Sequence, residues 1–164
     1  MIFYLEKISK FLNKLLLGVG GVTLTGMVLL TCSNIFLRVV WIPLEGTFEL
    51  MGFFGALVTA FALGHTHMKR GHIAVDIVVS KFSKKTRVFL NSANYLICTM
   101  FFAIAAWQIA KWATKLWKTG EITETLRIIY FPFTYGVALG CAALSLVLLI
   151  DFFKTFILGE DLGV

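Results

Sequence analysis

The chain has 164 residues, of which 59% are hydrophobic and 15% charged, against about 25% charged in a typical soluble domain. Beside its long apolar runs, too little chain remains for a soluble domain. The formal charge of +6 comes from cations placed next to those runs, as topology signals and lipid-headgroup contacts are. No basic patch is long enough to track phosphates, which excludes a nucleic-acid partner.

Residues 1–14 come first. Met1, Leu5, Ile8 and Leu12 fall on one helical face and Glu6, Lys7, Lys10 and Lys14 on another, the pattern of a helix lying in the headgroup layer. The run Leu15–Leu37 then continues for 23 residues without a formal charge and predicts a first span over 15–38. A helix rises about 1.5 Å per residue and a bilayer core is about 30 Å thick, so this run can cross. Lipid offers the backbone no hydrogen-bond partners, which makes helix the required form. The run far exceeds the roughly 7–15 apolar residues of a secretory signal, and no A-x-A site follows it, so it reads as a span.

The second span is predicted over 47–68, around the charge-free run Leu50–His67. Within it Gly52, Ala56, Ala60 and Gly64 recur every four residues, a spacing that lets another helix approach closely in lipid. The first span carries Gly18, Gly21, Thr25 and Gly26 of the same kind. Residues 72–85 mix Ile73, Ile77, Val78 and Phe82 with Asp76, Lys81, Lys84 and Lys85, and read as a cytoplasmic amphipathic helix, although alternation fits part of the stretch. The third and fourth spans, 88–112 and 128–152, are built on Val88–Ala110 and Ile128–Ile150, each 23 residues without a formal charge. The fourth contains Gly136-x-x-x-Gly140. The polar connection Lys111–Arg127 begins as a helical extension of the third span. The expected fold is an all-α integral membrane protein, a single membrane domain of four transmembrane helices plus amphipathic interfacial helices.

Orientation follows from Lys and Arg. Ten lie on one side: Lys7, Lys10, Lys14, Lys69, Arg70, Lys81, Lys84, Lys85, Arg87 and Lys154. The other side has five: Arg38, Lys111, Lys115, Lys118 and Arg127. The positive-inside rule then puts both termini and the central loop in the cytoplasm, with Trp41, Trp112 and Trp117 at the outer interface.

Little in the spans suggests chemistry. Cys32, Cys98 and Cys141 sit mid-span as small apolar fillers, with no C-x-x-C pair. His65 and His67, two residues apart, point about 200° from each other on a helix. No histidine pair has metal-ligand spacing and no nucleophile–base set is apparent, so neither a cofactor, a metal nor an enzymatic activity is expected. Intramembrane acids are functional by default, and Glu49 opens the second span. Arg38 closes the first span a short loop away, so an Arg38–Glu49 pair (or Arg38–Glu45) is expected to tie the two spans together.

The stretch from Asn34 to Val79 resembles the small membrane subunit of tripartite ATP-independent periplasmic (TRAP) transporters. The resemblance is carried by Arg38 ending span one, Glu49 opening span two, Gly64 near its end, and the run His72, Ile73, Val75, Asp76. In the fourth span Pro132 and the stretch Tyr135 to Gly140 are also similar. The resemblance implies a small permease subunit in the bacterial or archaeal cytoplasmic membrane. Such a subunit packs against and stabilises a large sodium-coupled permease subunit, which takes up an organic anion delivered by a periplasmic solute-binding protein. It further implies that Arg38 and Glu49 shape the outer ends of spans one and two, and that His72 and Asp76 organise the start of the cytoplasmic helix. Lys111, Lys115, Lys118 and Arg127 are then expected to meet either the binding protein or phospholipid headgroups. A different class, a four-helix proton-coupled antiporter acting as a homodimer, needs an acid embedded in an early span; span one contains none.

Overall fold

The computed structural model describes the main chain of residues 2–69 and 84–158, and the side chains of 5–69 and 86–156. Among these residues there are four helices: α1 (Ile2–Val40), α2 (Thr47–Met68), α3 (Lys84–Thr119) and α4 (Phe131–Leu158). Each contains a stretch long and apolar enough to cross a membrane. The amphipathic segment expected over 72–85, with His72 and Asp76, lies outside the described residues apart from the first turn of α3.

Where the sequence pattern sets an interfacial segment 1–14 apart from a span 15–38, α1 is one unbroken helix of 39 residues. At 1.5 Å per residue it is about 58 Å long, nearly twice a bilayer core. No proline interrupts it, and the polar residues at the junction are absorbed within the helix. Asn13 is 1% exposed, and its Nδ2 donates to the Ser9 carbonyl one turn back at 2.9 Å.

The helix ends that border the 41–46 and 120–130 loops have specific stops. Gly120 follows α3 with φ +65°, and its N–H donates to the Leu116 carbonyl at 3.0 Å, a left-handed C-terminal cap. Pro132 is the second residue of α4, where a missing N–H costs nothing. Gly46, at φ +72°, precedes α2.

Helix α4 is the centre of the bundle: half of its most apolar window is buried, against 11% for α1 and for α3. It packs broadly on α3 and α2 and more narrowly on α1, while α1 also packs on α2. Leu16, Ala60, Phe61 and Ala143 form the shared core of α1, α2 and α4. Glycines set the approach. A Cβ on Gly140 would stand 2.6 Å from the Ala60 carbonyl oxygen, and one on Gly136 would stand 2.5 Å from Leu57 Cδ2. A Cβ on Gly64 would overlap the Asn13 side chain.

The four-residue stripe of α2 does not act as one surface. Ala60 and Gly64 are buried, whereas Gly52 and Ala56 are exposed, and a Cβ on Gly52 would meet nothing within 4 Å. Each four-residue step overshoots a full turn by about 40°, so the stripe rotates by about 120° between Gly52 and Gly64. Only its inner half stays on the packed face.

Candidate functional site

Two sets of polar contacts tie the helices, one at each end of the bundle. At the end carrying the helix-joining loops, residues 120–130 fold back as a closed hairpin. Ile122 and Ile129 form an antiparallel bridge, the Thr123 N–H donates to the Ile128 carbonyl at 2.9 Å, and the Ile128 N–H donates to Thr123 Oγ1 at 3.1 Å. Arg127 takes the left-handed conformation at φ +53°.

This turn leaves two consecutive amides without a carbonyl partner, and Glu49 accepts both. The Thr125 N–H donates to Oε1 at 2.8 Å and the Leu126 N–H to Oε2 at 3.1 Å. A carboxylate receiving two backbone donors is a strong, charge-assisted arrangement. Leu126 packs over Gly46, where a Cβ would collide with it. Below the clamp, Phe53 stacks on Phe133 with centroids 4.3 Å apart and meets Tyr130 edge-on at 5.4 Å. The hairpin is thus fastened to the start of α2 as well as to the helices it joins.

This corrects the expected pairing of Glu49 with Arg38. Arg38 is exposed, and no ion pair joins it or Glu45 to a partner among the described residues. The link between the end of α1 and the following loop is made by Asn34, whose Oδ1 accepts the Leu44 N–H at 2.9 Å. Two leftover amides of a tight turn satisfy a carboxylate more completely than one flexible guanidinium across a solvated loop would.

At the opposite end, Glu6 of α1 lies 2.6 Å from Lys10 and 2.8 Å from Lys154 of α4. His67 Nε2 of α2 stands 3.2 Å from Asp151 Oδ2 of α4, and its ring meets Tyr95 of α3 edge-on at 6.1 Å. Residues of all four helices therefore meet at this end, through the Glu6–Lys154 and His67–Asp151 contacts and the Tyr95 ring. Between α3 and α4, Thr114 Oγ1 and Tyr135 Oη lie 2.8 Å apart, and Ser145 donates to the Thr99 carbonyl at 3.3 Å. Sequence reasoning registers Asp151 and His67 only as separate polar residues, and they are 84 positions apart.

Lys111, Lys115 and Lys118 are exposed on the last turns of α3, and Arg127 is exposed on the hairpin. Among the described residues no group of three or more His, Cys, Asp or Glu side chains is placed to hold a metal ion. The cysteines are free thiols at three different depths. A shallow surface recess lies along α1 past Lys14, Gly18, Gly21 and Thr25. These contacts tie α2 to the hairpin joining α3 and α4 at one end and bring residues of all four helices together at the other.

A family model described as the DctQ component of tripartite ATP-independent periplasmic transporters matches residues 27–157. That range takes in the Glu49 clamp, the hairpin and the α2–α4 glycine contact. No curated protein and no solved structure matches.

Proposed function

Because this chain belongs to the DctQ family, the small membrane component of tripartite ATP-independent periplasmic transporters, we propose that it is a static buttress for a large sodium-coupled permease subunit. That subunit moves an organic anion handed over by a periplasmic binding protein. The chain sits in the cytoplasmic membrane with both termini inside, a placement supported by its excess of Lys and Arg on that side. The loop end of the bundle faces outward, and Lys111, Lys115, Lys118 and Arg127, all exposed there, meet either the binding protein or phospholipid headgroups.

The observation that carries the buttress role is the outer face of α1. Gly18, Gly21 and Gly26 have nothing within 4 Å of where a Cβ would stand. Glycine costs a helix about 1 kcal/mol relative to alanine, and lipid gains nothing from it. A closely approaching helix does. Within this chain that face has no partner helix among the described residues, so the large subunit is its natural occupant.

Replacing Gly18 and Gly21 by leucine should reduce co-purification of the large subunit several-fold, while the chain itself still reaches the membrane and keeps its helicity. Met100→Leu, on the exposed side of α3, should leave capture unchanged. Normal capture by the glycine variant would remove α1 as the docking face. Gradient-driven flux through the chain reconstituted alone would overturn the buttress role and favour the antiporter class.

A further inference from the structure

Lys111, Lys115 and Lys118 follow each other at i, i+4 and i+7 on the outer part of α3, and Trp107 lies one turn below Lys111. The four fall within about 80° of the helix circumference. The Lys111 ammonium is 5.9 Å from the Trp107 ring centroid, within reach of a cation–π contact. The same strip continues down the helix as apolar surface, with Trp107, Ile104 and Met100 exposed by 66%, 59% and 58%. Ala106, Ala113 and Leu116, which are buried, lie on the other side of the helix, where α4 packs.

Two chemistries are therefore stacked on one uncovered face, cations above and aliphatic surface below. An acidic soluble protein would use the cations and leave the lower strip empty. A partner helix would cover the strip but would need to supply three anions at its end. A phospholipid uses both. Lys111 and Lys118 are separated by about 10 Å along the axis, and the headgroup layer is about 5–7 Å deep on each side. With Trp107 set at the edge of the apolar core, Lys111 and Lys115 would fall at the phosphate level, and the long Lys118 stem is able to reach back toward it.

We infer that this face of α3 binds an anionic phospholipid, its phosphate held by Lys111, Lys115 and Lys118 and an acyl chain laid along Trp107, Ile104 and Met100. The inference does not depend on the transporter reading, since it uses only the geometry of α3.

The test is native mass spectrometry of the purified full-length chain. Phosphatidylglycerol is offered against phosphatidylcholine of the same acyl length, with tail-less glycerophosphoglycerol as a further competitor. Phosphatidylglycerol should be retained preferentially, and the tail-less headgroup should compete poorly. A lysine at an anionic lipid surface is worth about fivefold in binding, so each single Lys→Gln variant should lose about that factor and the triple variant more than tenfold. Arg38→Gln with Arg127→Gln removes charge elsewhere and should leave the preference intact. Unchanged preference in the lysine variants, or equal competition by the tail-less headgroup, would overturn the inference. So would a triple variant that keeps its lipid preference but loses capture of the periplasmic binding protein, because the face would then be a protein dock.

Discussion

Gly140→Ala is the sharpest test of how α2 and α4 are held. The added methyl would lie 2.6 Å from the Ala60 carbonyl oxygen, 2.7 Å from its carbonyl carbon and 2.8 Å from its Cβ. Real Cβ contacts are essentially never shorter than 3.0 Å, and none of the three atoms can rotate away. The helices must separate, which also loosens Gly136 against Leu57 one turn along. Overpacking of this kind costs about 1–3 kcal/mol, and alanine returns about 1 kcal/mol of helix propensity. The net loss is then up to about 2 kcal/mol, a factor of up to roughly 30 in the folded population. Thermal unfolding in detergent should show it, with Gly52→Ala as the control. That site is open, so only the propensity gain applies and stability should hold or rise. Ala60→Gly should rescue Gly140→Ala only in part, because it removes one of the three clashing atoms. Equal stability of Gly140→Ala and Gly52→Ala would refute the close α2–α4 approach.

Three further outcomes follow from the ties at the two ends. Glu49→Gln replaces one acceptor oxygen with a donor facing an N–H, so amide exchange at Thr125 and Leu126 should accelerate while the middle of α3 is unaffected; Arg38→Gln should leave both amides protected. Gly46→Ala forces an L-residue into the left-handed region, at about 1–2 kcal/mol, and displaces Leu126. Adding Leu126→Ala should relieve the displacement but not the backbone cost, as read by the unfolding midpoint. Glu6→Gln removes the α1–α4 tie to Lys154, worth up to about 1 kcal/mol for a partly exposed pair. The difference from the parent should shrink in about 1 M salt, where the Debye length is about 3 Å.

The four spans were legible because hydrophobic length is a property of the sequence itself: three runs of 23 uncharged residues and one of 18 leave few alternatives. The continuity of α1 was not. An amphipathic pattern over residues 1–14 describes surroundings, and a helix rising out of the bilayer meets headgroups just as one lying in it does. The small-residue stripe of α2 was visible as spacing, but its rotation from the packed face to the open one is geometric. Glu49 stood out as an acid near an apolar run, yet its partners are main-chain amides of Thr125 and Leu126, which no side-chain pattern marks. The His67–Asp151 pair needed the fold to bring distant segments together.

Helices α2 and α4 are joined at three heights: by the hairpin hung on Glu49, by the glycine seat of Gly140 on Ala60, and by His67 against Asp151. Scissoring about the middle seat would stretch one end link or the other whichever way the rods turned. The pair is left free to shift only as a plank, so any flexing imposed by the surrounding bilayer must be taken up by α1 and α3, whose outward sides no described residue braces.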